Sequence, residues 1–332
     1  MCANFNNKTN MKKVLVTYNL FREGFKELES KYDVVFPPNG KVNFKFEEVL
    51  DLISEYDALC SMFNFPVTKE LMDKAQRLKA ISNFAVGFDN IDIDYALQKG
   101  ITVLNTPDPV TNPTANLALA LLLDTARRVS ELDRKLRMFC GELKRGVDIN
   151  LGLPVTNQTL GIIGMGRIGK ALCKRAKACD MHVVYHNRKQ LSSEEEAQLG
   201  VTYLSKNDLL IVSDFVSINA PHTSETYHLI GKEELRKMKS TAILINTARG
   251  ALIDEKALIK ALQNNEIAGA GLDVFEFNDV PSLEFYTLDN VVLTPHIGTQ
   301  TMYSRIEMVK NVCNNVIGFF EGDRPIFRVL KP

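Results

Sequence analysis

The chain has no excess of either charge: 40 Lys and Arg balance 40 Asp and Glu over 332 residues. That balance leaves no electrostatic footprint for nucleic acid or for an anionic membrane surface, although a local basic pocket for a phosphate is compatible with it. No C-x-x-C pair occurs among the six cysteines, Cys2, Cys60, Cys140, Cys173, Cys179 and Cys313, and none stands with histidines at metal-ligand spacing. A disulfide framework and a metal site are not expected, and reduced thiols suit a cytoplasmic protein. The longest apolar run, Leu117 to Leu123, is bounded by Asn116 and Asp124. It is far shorter than the roughly 20 residues that span a bilayer, and it reads as a helix buried on most sides, in a core or a subunit interface. The polar opening MCANFNNKTN lacks the apolar segment of a signal peptide. Neither an internal repeat nor a low-complexity tract is present.

What the chain does have is alternation. Apolar, β-branched strands are predicted at Lys12–Tyr18, Ala58–Ser61, Leu78–Ser82 and Ile101–Leu104, with helical spacing between them, as at Lys69–Gln76. Asp108–Pro113 holds two prolines and no periodicity, which marks a linker or hinge. One long helix is predicted over Thr114–Met138, then a second alternating series over Thr159–Thr294, and a last helix over about Tyr303–Phe320. Strands separated by helices imply parallel pairing and an α/β layer structure, and the length allows two domains.

The strand Thr159–Ile163 runs directly into Gly164-Met165-Gly166-Arg167-Ile168-Gly169, a G-x-G-x-x-G turn that opens a helix with Ile168, Leu172 and Ala176 on one face. Gly164 permits the tight turn, Gly166 lets the backbone approach a pyrophosphate, and Gly169 allows close packing of helix on strand. From Arg167 and Ile168 onward the helix start offers N–H groups and a partial positive charge to phosphates. The next strand, His182–Tyr185, ends in His186-Asn187-Arg188-Lys189. A fold that prefers NAD places Asp or Glu about 20 residues after the glycines, for the ribose 2′-OH. Asn187 stands there instead, followed by Arg188, whose guanidinium suits a 2′-phosphate. The expectation is NADP(H) in preference to NAD(H).

Three later strands each end in a polar residue: Asn246-Thr247-Ala248-Arg249-Gly250, Asp273-Val274-Phe275-Glu276, and Thr294-Pro295-His296-Ile297-Gly298. Ligands of open parallel sheets bind at the carboxyl ends of strands, so Arg249, Asp273 and His296 are expected to converge near the glycine turn. The residue types suit hydride chemistry. An imidazolium neutralises the oxyanion that hydride addition creates, and an arginine grips a carboxylate bidentately. Singly, each has an ordinary reading: a loop histidine, a helix-start charge, a turn cap.

The segments GIIGMGRIG, INTARGALIDEKAL, AGAGLDVFE and LTPHIG, in this order, resemble the D-isomer-specific 2-hydroxyacid dehydrogenase family, and the likeness covers nearly the whole chain. With CSMFNFPVTKELMD, AVGFDNID and the non-acidic Asn187, the glyoxylate, hydroxypyruvate and 2-ketogluconate reductases are the most similar members. The resemblance implies an NAD(P)H-dependent reduction of a small 2-oxo acid to its D-2-hydroxy acid. It makes His296 the acid/base, Arg249 the anchor of the substrate carboxylate, and Val86 and Gly87 donors of backbone N–H groups to that carboxylate. Met62 and Phe63 would line the substrate. Asp273 would bind the nicotinamide carboxamide, and Thr114, Asn219, Ala220, Pro221, Thr247 and Ala248 would line the cofactor. It also implies a Rossmann dinucleotide-binding domain over 107–296, a discontinuous flavodoxin-like substrate domain over 1–106 and 297–332, a cleft between them, and a homodimer.

One position departs from the family pattern DVFExEP. Asn278 stands where the glutamate that pairs with the histidine is expected, so either Glu276 or Asp279 substitutes for it or the histidine works with a lower pKa. A neutral amide orients an imidazole without stabilising its charged form. The departure keeps a rival reading open, a nucleotide-sensing binding protein of the same fold with little turnover. His182, His186, His222 and His228 show no partner pattern.

Overall fold

The computed structural model describes residues 11–139, 141–144, 146–277 and 280–329. They form two compact units, one of residues up to Val110 and from Thr299 onward, the other Thr111–Gly298. Among the described residues no helix is long and apolar enough to cross a membrane.

The first unit is built on five strands: β1 Lys13–Val16, β2 Asp33–Val35, β3 Ala58–Met62, β4 Ala80–Phe84 and β5 Thr102–Leu104. Their order is β2-β1-β3-β4-β5 and every pairing is parallel, the flavodoxin-like arrangement. β3 and β4 are buried at all positions, as a sheet covered on both faces requires. The helix Met302–Glu321 covers part of it with Met308, Val309, Val312, Cys313, Val316 and Ile317. Ser82 ties the two together through a hydrogen bond to the Val312 carbonyl.

The second unit holds seven strands: β6 Thr159–Ile163, β7 His182–His186, β8 Thr202–Tyr203, β9 Phe215–Ile218, β10 Ile243–Asn246, β11 Gly269–Leu272 and β12 Val291–Leu293. The order β8-β7-β6-β9-β10-β11-β12, parallel throughout, is the doubly wound 3-2-1-4-5-6 sheet with one strand added. Successive strand residues serve opposite faces. Ile243 and Ile245 enter one core with Leu160, Ile162 and Phe215. Leu244 enters the other with Val216, Ala270 and Leu272.

Two sequence expectations are corrected here. Asp108–Pro113 is no linker but the opening of the helix Asp108–Arg127. Pro109 lies in the first turn, where its missing N–H would have had no helical partner. The expected single helix to Met138 breaks at Arg128, which takes a left-handed φ of 59° before the helix Val129–Met138. Such a conformation costs a non-glycine residue about 1–2 kcal/mol. The Arg128 side chain offsets the cost, donating to both oxygens of Glu131 at 2.7 Å and to the Leu151 carbonyl at 3.1 Å.

Candidate active site

In the second unit the carboxyl ends of β6, β7, β9, β10, β11 and β12 carry the candidate residues. The turn after β6 has the form its glycines require. Gly164 adopts φ +100°, and a Cβ there would stand 2.6 Å from the Ala220 nitrogen, so only glycine fits. A Cβ on Gly169 would overlap the Gly164 carbonyl oxygen. Gly166 is the opposite case: nothing lies within 4 Å of its Cβ position. That open space sits at the start of the helix Arg167–Ala178, which no side chain caps. A dinucleotide pyrophosphate fits such a turn. Two buried atoms nearby on the strand ends, Asn219 Oδ1 and Thr247 Oγ1, have no hydrogen-bond partner, as expected of a surface that awaits a polar ligand.

Asn187 accepts the Met165 N–H at 2.6 Å on Oδ1 and so braces the glycine turn. Arg188 and Lys189 are exposed, and Arg188 faces Glu225 at 3.4 Å, both side chains well exposed.

β10 ends in Asn246, which is buried. Its side chain accepts the Ala248 N–H at 3.0 Å and donates to the Arg249 carbonyl at 2.9 Å, fixing the turn that presents Arg249. The guanidinium donates to the Ala248 carbonyl at 2.7 Å. Gly250 follows because nothing larger fits: a Cβ would overlap the Phe275 carbonyl group. β11 ends in Asp273, 1% exposed. Its Oδ1 accepts the Thr294 hydroxyl and the Ile297 N–H, both at 2.7 Å, and its Oδ2 accepts the Gly298 N–H at 2.9 Å. Burial raises the Asp273 pKa; the hydroxyl, the two N–H groups and nearby His296 pull against it. Asp273 thus grips the turn after β12, and the His296 N–H donates to the Asp273 carbonyl at 2.9 Å. His296 itself is exposed, in a left-handed conformation with φ 53°. Thr114 is buried and donates to the Gly298 carbonyl at 3.4 Å.

Glu276 does not serve as a substitute partner for His296. Its Oε1 is bound by His228 Nε2 at 2.6 Å and by the Tyr227 hydroxyl at 3.2 Å, and its Oε2 by the Glu255 N–H at 3.1 Å. Asn278 and Asp279 lie outside the described residues. His228 therefore has a partner that the sequence pattern did not reveal, 48 positions away.

In the first unit Met62 is buried and donates its N–H to the Thr17 hydroxyl oxygen at 3.1 Å, while Phe63 is exposed. Val86 and Gly87 follow β4. Asn83 donates to the Gly87 carbonyl at 2.9 Å, and Asn90 to the Phe65 carbonyl at 2.9 Å. Asn83 and Asn90 also bond each other, so one amide pair braces both loops. Sequence reading gave these two no role and took Asn246 only as the polar end of a strand; what they do depends on backbone partners in the neighbouring loops.

A seven-stranded doubly wound sheet with a glycine turn at its switch point defines the second unit as a Rossmann dinucleotide-binding fold. Residues 119–298 match the family model "D-isomer specific 2-hydroxyacid dehydrogenase, NAD binding domain". A glyoxylate reductase of Pyrococcus horikoshii is 46% identical, over 96% of this chain and 98% of that one. Among solved structures, a glyoxylate reductase from Paecilomyes thermophila superposes with a TM-score of 0.87 at 32% identity, covering 97% of this chain and 99% of that one. An NADPH-dependent glyoxylate/hydroxypyruvate reductase from Sinorhizobium meliloti, in complex with NADP and malonate, gives 0.84 at 28%, covering 96% and 97%. The chain belongs to the D-isomer-specific 2-hydroxyacid dehydrogenase family. It is an enzyme that couples a nicotinamide dinucleotide to the interconversion of 2-oxo and 2-hydroxy acids.

Proposed function

We propose that the protein reduces a small 2-oxo acid of the glyoxylate, hydroxypyruvate or 2-ketogluconate type to the D-2-hydroxy acid, with NADPH as the preferred reductant. The observation that carries this reading is the placement of Arg249, Asp273 and His296 at the ends of three consecutive strands of the sheet that bears the open glycine turn. The bound nicotinamide supplies the hydride. Arg249 holds the substrate carboxylate and polarises the 2-oxo group, and the N–H groups of Val86 and Gly87 bind the same carboxylate. His296 gives its proton to the carbonyl oxygen as charge develops there. Asp273 Oδ2 keeps one lone pair for the carboxamide. Thr114, Arg167, Ile168, Ala220, Pro221, Thr247 and Ala248 line the cofactor; Met62 and Phe63 line the substrate.

Cofactor preference rests on Asn187, which brings no carboxylate to repel a 2′-phosphate, and on Arg188. An exposed ion pair such as Arg188–Glu225 is worth 1 kcal/mol or less, so a phosphate displaces Glu225 at little cost. We further propose a cytoplasmic homodimer. The support for the dimer is the group of exposed apolar side chains Val129, Leu136, Met138, Phe139 and Leu151 of the second unit.

Oxidation of NADPH and of NADH by the purified protein against these 2-oxo acids tests the reading. Turnover is expected with NADPH, and His296→Ala lowers kcat by about 10²–10⁴. Preference for NADH would remove the cofactor assignment. Tight NADPH binding without turnover would favour a nucleotide-sensing protein instead.

A further inference from the structure

The second unit buries two carboxylates that the reaction does not use. Glu276 and Glu255 are bound head to tail: Glu276 Oε2 accepts the Glu255 N–H at 3.1 Å, and Glu255 Oε2 accepts the Glu276 N–H at 2.9 Å. Glu255 Oε1 also accepts the Ser282 N–H at 3.2 Å and the Ser282 hydroxyl. The free side of Glu276 is closed by His228 and Tyr227, whose rings stack 3.9 Å apart. The Glu276 side chain is 8% exposed and Glu255 4%. Buried carboxylates are costly unless every oxygen is bound; here both oxygens of both groups are.

His228, Tyr227, Glu255 and Glu276 tie together the segments that flank Arg249. On one side the His228 N–H donates to the Ala251 carbonyl at 2.9 Å and the Ile230 N–H to the Leu252 carbonyl at 3.0 Å. On the other, Gly250 lies so close to the Phe275–Glu276 peptide that no Cβ fits between. The backbone from Gly250 to Glu255 is held between these two walls, and the His228–Glu276 bond joins one wall to the other.

We propose that His228 and Glu276 form a positioning pair for substrate binding, fixing the Gly250–Glu255 backbone and through it the aim of the Arg249 guanidinium. This rests on Arg249 being the carboxylate anchor. A bidentate grip is sensitive to direction, and a displacement of about 1 Å costs on the order of 100-fold in rate. The glycine turn after β6 is braced separately, by Asn187, so the pyrophosphate site does not depend on the pair.

Steady-state kinetics with glyoxylate and NADPH, fluorescence titration of NADPH and thermal melts test this on the full chain. H228A is expected to raise the KM for glyoxylate about tenfold or more while the NADPH Kd stays within about twofold. H228Q, whose amide N–H reaches the carboxylate, restores most of the loss; H228N, too short to reach, does not, and it substitutes for H228A if that variant fails to fold. E276Q behaves like H228A, and H228A/E276Q is no worse than the worse single variant, as expected for two members of one contact. An unchanged KM in H228A and H228N, a cofactor Kd that rises in step with KM, or losses that multiply in the double variant would overturn the proposal. A wild-type protein inactive on every 2-oxo acid overturns it together with the proposed function; an active wild type with an indifferent His228 overturns it alone.

Discussion

The two sheets begin alike and end differently. In the first unit Asp57, just before β3, accepts the N–H of Lys13 at 2.9 Å and donates its own N–H to the Lys13 carbonyl at 2.9 Å. In the second, Asp214, just before β9, makes the same exchange with Thr159, at 2.9 Å both ways. Each aspartate also holds a cation, Arg77 in one case and Lys239 in the other. At the opposite ends of the same strand pairs the units diverge. β6 opens into the glycine turn, with empty space above Gly166. β1 runs into Thr17 and Tyr18, and the fully buried Tyr18 ring packs 5.3 Å from Phe84 and 5.8 Å from Phe25. Sheet order fixes where a switch point falls. The first few side chains after the strand decide whether it becomes a phosphate site or part of a core.

The contrast is broken most directly at the glycines. Gly166→Val fills the open space and is expected to weaken NADPH binding at least about tenfold with the melting temperature little changed. Gly169→Val, against the Gly164 carbonyl, should lower the melting temperature strongly. Nucleotide titration and calorimetry separate the two, and equal destabilisation would mean that Gly166 is packed, not open.

The shared lower ends give a smaller effect. Asp57→Ala is expected to cost about 2 kcal/mol and the more exposed Asp214→Ala about 1 kcal/mol in urea unfolding, each leaving cofactor affinity intact. A large difference in cofactor binding would show that the lower ends are not equivalent scaffolds.

Glu131 belongs to the second unit alone. Arg128 and, more weakly, Lys135 pull its pKa down to about 2, against the opposing effect of burial. A depressed carboxylate stabilises the fold above its unfolded pKa and loses that contribution as pH falls toward the folded value. Glu131→Gln should therefore cost about 1–2 kcal/mol at neutral pH, and the gap to wild type should close in melts run below pH 3. A gap independent of pH would assign the loss to packing.

The smallest effect is expected at Tyr18. Its hydroxyl is buried without a partner, so Tyr18→Phe removes a desolvated group and should leave stability equal or up to about 1 kcal/mol higher. A clear loss in the same melts would reveal a polar contact at that site.

Much of this architecture was legible in the sequence because it is local. The strand, glycine turn and helix over 159–178 declare themselves within 20 residues, and the polar strand ends at Arg249, Asp273 and His296 follow apolar runs directly. What escaped was set by distance or by compensation. Two prolines made Asp108–Pro113 read as a linker, yet Pro109 falls where a helix tolerates proline. Arg128 breaks a helix without glycine because Glu131 and Leu151 hold its side chain. His228 looked idle because its carboxylate lies 48 residues on, and no spacing rule reports such a contact.

The first unit is assembled from segments on either side of the second, and this constrains its biosynthesis. Lys31 meets Glu321 across 290 positions, and Ser82 meets Val312 across 230. Thr111–Gly298, by contrast, is one continuous stretch holding all seven strands of its sheet. As the chain emerges from the ribosome the second sheet has all its strands before the first has its covering helix. Until Met302–Glu321 arrives, β4 lacks the helix that packs against it. The strands before Val110 are thus made before the second sheet but completed after it.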